Sequence, residues 1–572
     1  MVGRNEETKA WRLRSEFTPG STRWAVRRAQ WFAMGLQEED FHKPKVAVVN
    51  SSSQLSVCYQ HLDGIAAQAC DLLRKAGVLP FEIRTVAPSD FVTSAGKKGR
   101  YIMPSRDLLV NDIEVQVEGA VLDGMLLLSS CDKTTPAHLM AAARLDIPSI
   151  IVPCGYQLGR DCGGRTIDIE DVYKAVGTVE AGRMTLENLT DWTCKAIEGP
   201  GVCAGLGTAN SMHIMAEALG MTVARAAPVR AGSDALNENL ARSVLALVDA
   251  IDADRLPRRI LKREAFWNAV RVASSVGVSV NCVRHLTAVS KEAELDIDVL
   301  HLFATCAEDV SLMVDVRPNG PFRIEAFDDA GGALAVMRDL GDALEDAPTV
   351  SGETIRQRQT AADGDLSRVV APDAASSLGA PGLCMVSGSL APIGAVVKLS
   401  AVPREAFTLC GHAKVYEDED AAIEALASGV ISPGDVIVLR MLGPIGGPGT
   451  VFAASFMAAL VGAGLGETVA VVTDGELSGL NRGITIGQIM PEAAEGGPLA
   501  LVEDGDIVDI DLGERRVDLL VPAEELEARR LAWTPPPPTT ERGWLYQYSR
   551  LVRPLSEGAV LCRVDAAGET AD

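Results

Sequence analysis

No run of 18 apolar residues occurs in this sequence, so no helix of membrane-spanning length is expected. The longest apolar stretch, around Val451 to Leu465, is broken by Ser455 and Gly462. Met1 to Arg14 is charged and lacks the apolar centre of a secretory leader, which makes the cytoplasm the expected location. Basic residues are in deficit: 53 Lys and Arg stand against 77 Asp and Glu, for a formal net charge of −24. Nucleic acids and anionic membranes demand clustered Lys and Arg, so both are excluded as partners. Of the 12 cysteines none forms C-x-x-C, which removes support for a structural zinc site. In a long chain of this location they are expected to be reduced, most of them acting as small buried apolar residues.

What is present is enough apolar material for a large core. The chain has 572 residues, 47% of them hydrophobic, which is too long for one core and suggests two domains. Val46–Val49 and Met125–Leu128 read as buried parallel strands, each leading into a polar loop and a helical pattern. Met125–Leu128, the loop Ser129–Thr135, a helix opened by Pro136 and strand Ser149–Val152 form a β-α-β unit. Ligands bind at the C-terminal ends of such strands. Asp234–Ala253 is an amphipathic helix with Leu236, Leu240, Val244, Leu247 and Ile251 on its core face.

Residues 350–380 are dominated by Ser, Thr, Ala, Asp, Gly and Pro, and read as the interdomain connection. Beyond it the text is strand-rich. Val436–Leu439 and Val469–Val472 look buried, and Val508, Ile510 and Leu512 alternate with Asp509 and Asp511 as in a half-exposed strand. Trp533–Thr540, with four prolines, is an extended tether to a short C-terminal segment. The expected boundaries are 1–365 for an N-terminal α/β domain and 366–572 for a β-rich C-terminal domain.

Three segments set a cysteine among small polar neighbours: Asn50 to Cys58, Ser130 to Pro136 around Cys131, and Gly199 to Gly207 around Cys203. Cys58 and Cys131 each follow an apolar strand and precede a helical pattern, and Cys203 lies in a Gly-rich loop before a helix near Ser211–Leu219. Helix N-termini favour thiolates and anionic ligands. Spacing alone leaves open whether these are one metal site or three unrelated buried thiols. Cys131-Asp132-Lys133 is more informative, since it puts a soft ligand, a hard ligand and an amine within three residues.

Cys131-Asp132-Lys133-Thr134-Thr135-Pro136 resembles the signature of the dihydroxyacid dehydratase and phosphogluconate dehydratase family, which includes the aldonic acid dehydratases. The likeness runs over nearly the whole chain. It includes Asn50-Ser51 to Cys58, Gly201-Val202-Cys203 with Thr208 to Met212, and Leu390 to Lys398. It also includes Thr473-Asp474-Gly475 to Gly479, and Pro491 to Pro498. The resemblance implies a [2Fe-2S] cluster held by Cys58, Cys131 and Cys203, with one iron left open as a Lewis acid for the departing hydroxyl. It implies Ser478, as alkoxide, as the base that takes the C2 proton, and Asp132, Lys133 (as a carbamate) and Asp90 as magnesium-side ligands. Lys133 thereby counts as catalytic, and Lys98, Thr134, Ser279 and Asn281 as substrate-binding. The fold it implies is an N-terminal α/β domain carrying the cysteines and a C-terminal barrel-like domain carrying Ser478, assembled as a homodimer or homotetramer.

The sequence departs from the family pattern where carboxylates are expected. Lys98, in Gly96-Lys97-Lys98-Gly99-Arg100, and Phe452, after Gly447-Pro448-Gly449, each replace a glutamate. An ammonium beside Mg²⁺ is repulsive, so weak or absent magnesium binding is expected, with Lys98 supplying positive charge instead. Gly277-Val278-Ser279-Val280-Asn281 and Ser52-Ser53-Gln54 also differ from the usual runs. Three readings follow: a dehydratase of a branched short-chain 2,3-dihydroxy acid, a sugar-acid dehydratase giving a 2-keto-3-deoxy acid, and a catalytically silent paralogue. Val278, Val280 and Phe452 disfavour the second, and retention of the cysteines and Ser478 disfavours the third. The C-terminal text, Arg529 to Pro538 and Leu551 to Val560, is closer to dihydroxyacid dehydratases.

Overall fold

Strands that are apolar at every position need cover on both faces, and such strands form the first sheet. The computed structural model describes residues 11–93, 99–180, 182–306, 309–370, 380–449, 453–476, 482–537 and 540–561. After a leading helix (Thr22–Ala33), the elements that build this sheet are β1 (Lys45–Asn50), α1 (Leu62–Lys75), β2 (Leu79–Arg84), α2 (Ile102–Ala120), β3 (Gly124–Ser129), α3 (Thr134–Leu145) and β4 (Ser149–Pro153). The sheet order is β2-β1-β3-β4, with every pair parallel. β1 and β3, the central strands, are buried at every residue, and so is β4 at one end of the sheet. β2 is an edge strand and exposes Glu82 and Arg84. The expected β-α-β unit is present. Its helix starts at Thr134, and the N–H that Pro136 lacks is one of those that a first turn leaves unpaired anyway.

Among the helices that follow in this portion are α4 (Ile169–Glu180), α5 (Thr208–Ala218), α6 (Asp234–Asp252), α7 (Asn281–Glu292) and α8 (Ile355–Ala361). α6 buries Leu236, Leu240, Val244 and Leu247 as its periodicity predicts, and the Ser233 hydroxyl accepts the Leu236 N–H at 3.2 Å as its cap. α8 lies inside residues 350–380, the stretch read as a connection, and gives it a helix that its composition did not suggest. Thr354 and Gln357 form a capping box, with the Thr354 N–H donating to Gln357 Oε1 at 2.8 Å. Arg358 then runs inward and donates to the Thr222 carbonyl at 2.7 Å. A capped helix anchored by a buried side chain had been masked by its polar composition. Residues 371–379 of that stretch lie outside the described residues.

The C-terminal portion is β5 (Cys384–Val386), β6 (Gly394–Val397), β7 (Thr408–Tyr416), β8 (Val436–Leu439), α9 (Ala454–Gly462), β9 (Ala470–Thr473), β10 (Thr485–Met490), β11 (Ile507–Asp511), β12 (Arg516–Leu519) and α10 (Trp544–Leu551). Its eight strands run in the order β12-β11-β7-β8-β9-β10-β6-β5. The two ends meet: the Ser387 N–H donates to the Arg515 carbonyl and the Val517 N–H to the Ser387 carbonyl, both at 3.0 Å. This bridge nearly closes the sheet into a barrel and leaves little edge to pair with other chains. In β11, Val508 and Ile510 are buried while Asp509 and Asp511 are partly exposed, as the alternation predicts.

The two portions touch through backbone. A Cβ on Gly177 of α4 would lie 2.3 Å from the Ala458 carbonyl oxygen of α9, and one on Gly462 would lie 2.4 Å from the Gly177 oxygen. Only glycine allows helices this close. The N-terminal core also reaches across to Met385, Val396 and Met490. After the extended stretch from Trp533, the chain returns to the N-terminal portion. Trp544 Nε1 donates to the Pro104 carbonyl at 3.0 Å, and buried Arg106 donates to the Ala559 carbonyl at 2.7 Å. No helix among the described residues is long and apolar enough to cross a membrane.

Candidate active site

Each of the singled-out cysteines sits where a strand or glycine loop hands over to a helix. Cys58 lies between β1 and α1, Cys131 between β3 and α3, and Cys203 just before α5. Hydrogen bonds stitch the three loops together. Ser130 Oγ donates to the Cys58 carbonyl at 2.5 Å, and the Gly201 N–H donates to the Val57 carbonyl at 3.4 Å. From α5, Asn210 donates to the Cys203 and Gly205 carbonyls at 2.8 Å each, and His213 Nε2 lies 2.9 Å from the Ser130 carbonyl.

Cys58 stands within reach of both other thiols. A hydrogen bond with Cys58, together with burial, pushes the Cys131 thiol well above the usual thiol range. Burial, followed by Cys58, Asp90 and Glu170, does the same to Cys203. Buried thiols that repel each other's ionised forms are stabilised as thiolates only when a cation joins them. Asp90, Cys131 and Asp132 each offer a ligand atom within 4.8 Å of the others, so this Cys/Asp cluster has the spacing to hold a metal. Cys131 Sγ lies 3.1 Å from Ser89 Oγ and 3.6 Å from Asp90 Oδ1, and the Asp90 N–H donates to Asp132 Oδ1 at 3.3 Å. Burial and the neighbouring Asp132 push Asp90 up to about 6.

Lys133 is wholly buried between two carboxylates, 3.0 Å from Asp132 Oδ2 and 3.3 Å from Glu476 Oε1. Burial lowers its pKa, and Asp132 opposes that shift. Glu476 also pairs with Arg284 of α7, so a chain of four buried charges runs from Asp132 to Arg284. Thr134 is buried beneath the second cysteine loop, with Oγ1 2.9 Å from Tyr59 Oη, which in turn donates to the Pro88 carbonyl at 2.6 Å. Ser279 and Asn281 form a small network with Thr208. Ser279 Oγ is 2.9 Å from Thr208 Oγ1, and Asn281 Nδ2 donates to the same oxygen at 3.1 Å. Gln488 of β10 reaches in from the barrel and donates to the Val280 carbonyl at 3.1 Å. Asp90, Cys131, Asp132 and Lys133 thus lie together, with Cys58 beside Cys131 and Cys203 within electrostatic reach of Cys58 and Asp90, while Ser279 and Asn281 are joined through Thr208 to the start of α5. Ser478, Lys98 and Phe452 lie outside the described residues.

The sequence matches the dihydroxy-acid/6-phosphogluconate dehydratase N-terminal family over residues 43–358 and the corresponding C-terminal family over residues 368–559. The chain belongs to this dehydratase family. It is 38% identical over 562 residues to a dihydroxy-acid dehydratase of Methanothrix thermoacetophila, covering 96% of this chain and 100% of the relative. It is 39% identical over 561 residues to one from Pyrococcus abyssi, covering 96% and 100%. To one from Thermus thermophilus it is 37% identical over 554 residues, covering 96% and 99%.

Membership in the dehydratase family gives its C-terminal motifs a structural task. Asp474 accepts the N–H groups of Leu442, Ala493 and Met441 at 2.9, 3.0 and 3.1 Å. Glu492 accepts those of Gly446 and Ile445 at 3.0 and 3.2 Å. Two buried carboxylates thus pin the loops beside the strand end from which Glu476 projects. Four residues facing the cleft were given no role by the sequence reading: Glu476, Arg284, Lys398 and Glu170. Glu476 and Lys398 stand inside motifs already quoted, so position was available and partner was not. Arg284, an arginine on the buried side of α7, carried its own signal, because a fully buried arginine needs an anion.

Proposed function

We propose that this dehydratase removes water from a 2,3-dihydroxy carboxylic acid to leave a 2-keto acid, with a branched short-chain acid as the preferred substrate class. The convergence of three cysteine loops from distant parts of the chain carries this reading. Cys58, Cys131 and Cys203 suit a [2Fe-2S] cluster: they are soft donors, at least partly buried, held at three loop ends and short of an ionising partner. Three protein ligands for such a cluster leave one iron position open, and the cluster when bound supplies a Lewis acid for the departing hydroxyl.

The remaining chemistry belongs to the chain. Ser478 takes the C2 proton, and the hydroxyl leaves from C3, so that H and OH depart together as water. The enol so formed tautomerises to the 2-keto acid. A serine hydroxyl is a weak base unless cations stabilise its alkoxide. Glu476, two residues before Ser478 in the sequence, is paired with Lys133 and Arg284, so two cationic side chains lie beside the end of the described chain that leads to Ser478.

Magnesium does not fit this donor set. It requires near-octahedral oxygen ligands. Here the Lys133 ammonium occupies the space between Asp132 and Glu476, and Lys98 and Phe452 replace two family carboxylates. We therefore assign the positive charge beside Asp132 to Lys133 in its unmodified form. A homodimeric or homotetrameric assembly in the cytoplasm completes the reading, supported by the family likeness.

The deciding experiment reconstitutes the full chain anaerobically with iron and sulfide, then screens 2,3-dihydroxy acids and aldonates for 2-keto acid formation. A colourless, iron-free preparation that forms no keto acid refutes the proposal. For magnesium, metal analysis after exposure to excess Mg²⁺ is expected to find less than one ion per chain; one tightly held ion refutes that part.

A further inference from the structure

Two charged side chains in the cleft are buried without a close partner, and they come from opposite portions of the chain. Lys398, at the end of β6, is 5% exposed. Among the described residues it closes no ion pair, and only Glu170 and Cys282 act on its charge, both from a distance. Glu170, in the first turn of α4, is 9% exposed, and its Oε2 has no hydrogen-bond partner. Among the described residues its one ion pair is a long one, to Arg317 Nε at 4.0 Å, and that guanidinium is already committed to Asp168 and Asp171.

The Glu170 carboxylate rests on the third cysteine loop. A Cβ on Gly205 would fall 1.9 Å from its Oε1, so the bare glycine two residues beyond Cys203 is what admits it. Burial moves both groups toward their neutral forms, Glu170 up to about 7 and Lys398 down to about 8. Burying an ion without a paired, hydrogen-bonded counter-ion is costly, and a bound molecule that supplies the missing partners recovers that cost. Of the other cations nearby, Lys133 is paired with Asp132 and Glu476, Arg284 with Glu476 and Arg317 with its aspartates, while half-buried Lys174, one turn after Glu170 in α4, acts on Glu170 from the same portion of the chain; Lys398 is the cation that the barrel portion contributes. In a chain of net charge −24, an anionic ligand needs such an uncommitted cation.

We propose that Lys398 pairs with the carboxylate of the bound hydroxy acid, and that Glu170 hydrogen-bonds a hydroxyl of the same molecule. This deepens the dehydratase reading and rests on it for the identity of the acid. Lys398 is then the residue through which the barrel portion holds the substrate against the cysteine loops.

The test uses the cluster-reconstituted full chain and a pair of non-reacting probes, 2-hydroxy-3-methylbutanoate and its primary amide, titrated calorimetrically. The wild type is expected to bind the acid more tightly than the amide. Lys398→Met is expected to weaken the acid about 100-fold and leave the amide unchanged, and Lys398→Arg to restore much of the loss. Ligand-free Lys398→Met should melt no lower than wild type, because it removes an unpaired buried charge; a merely structural lysine would lower the melting temperature and leave the probes alone. Glu170→Ala is expected to raise KM for 2,3-dihydroxy-3-methylbutanoate about tenfold, with the inhibition constant of 3-methylbutanoate unaltered. A Lys398→Met variant that binds the acid like wild type, or a wild type that does not prefer acid over amide, overturns the proposal. Normal acid binding without turnover of any dihydroxy acid sinks the reaction assignment and leaves the carboxylate subsite standing.

Discussion

Gly177→Ala separates two opposed effects by sign. Gly177 lies within α4 at a φ that alanine tolerates, and in a helix interior Ala is favoured over Gly by about 0.5–1 kcal/mol. Propensity alone therefore predicts stabilisation. The tertiary contact predicts the reverse, since the new Cβ would sit 2.3 Å from the Ala458 oxygen and 3.1 Å from Gly462 Cα, backbone atoms that cannot rotate away. Overpacking of this kind costs about 1–3 kcal/mol, so a net loss of about 1–2 kcal/mol is expected, read as a lower urea midpoint. Function should suffer as well. α4 carries Glu170 two turns before Gly177, and a shift of about 1 Å at a positioning element can cost on the order of 100-fold in rate. The assay is paired: urea midpoint by circular dichroism, and turnover of a 2,3-dihydroxy acid. A Gly177→Ala protein more stable than wild type and equally active would refute the close helix contact and its link to the cleft.

Cys58→Ser, Cys131→Ser and Cys203→Ser should each lose bound iron and visible absorbance, whereas Cys154→Ser, a buried thiol directed at the Val152 carbonyl, should keep both; full colour in any of the first three contradicts the shared site. Glu476→Gln leaves Lys133 and Arg284 buried without their common carboxylate. Breaking a buried pair costs about 3–5 kcal/mol, and an unchanged urea midpoint would count against the charge chain. His138, held down to about 3 by burial, stays neutral in the folded chain, while the unfolded chain takes up a proton below its ordinary value of 6.5. Stability should therefore fall as pH drops from about 6.5 toward 3, by up to about 1.4 kcal/mol per pH unit from this residue. His138→Gln should flatten that slope, measured by urea melts at stepped pH; an identical slope would show that the imidazole is not the source.

The amino-acid sequence by itself determined the local structure wherever one pattern was strong. Continuous apolar runs became the buried strands β1, β3 and β4, the period of α6 placed its buried face, and the alternation in β11 placed its exposed one. It also marked the three cysteine loops, because small polar residues after a buried strand are readable within a dozen positions. Composition misled at residues 355–361, where a capping box and an inward-facing arginine outweighed a polar, proline-poor text.

Only the tertiary structure decided which distant residues meet. Cys58, Cys131 and Cys203 come together because parallel strands β1 and β3 end at the same edge of one sheet and α5 packs beside them. The return of Ser387 to Arg515 and Val517 turns a run of strands into a near-closed barrel. Glu476 finds Lys133, and Lys398 comes within electrostatic reach of Glu170, across sequence separations that carry no local periodicity. Side-chain pairing depends on distance in space. A chain that folds back through two cores sets those distances by packing, not by the order of its residues.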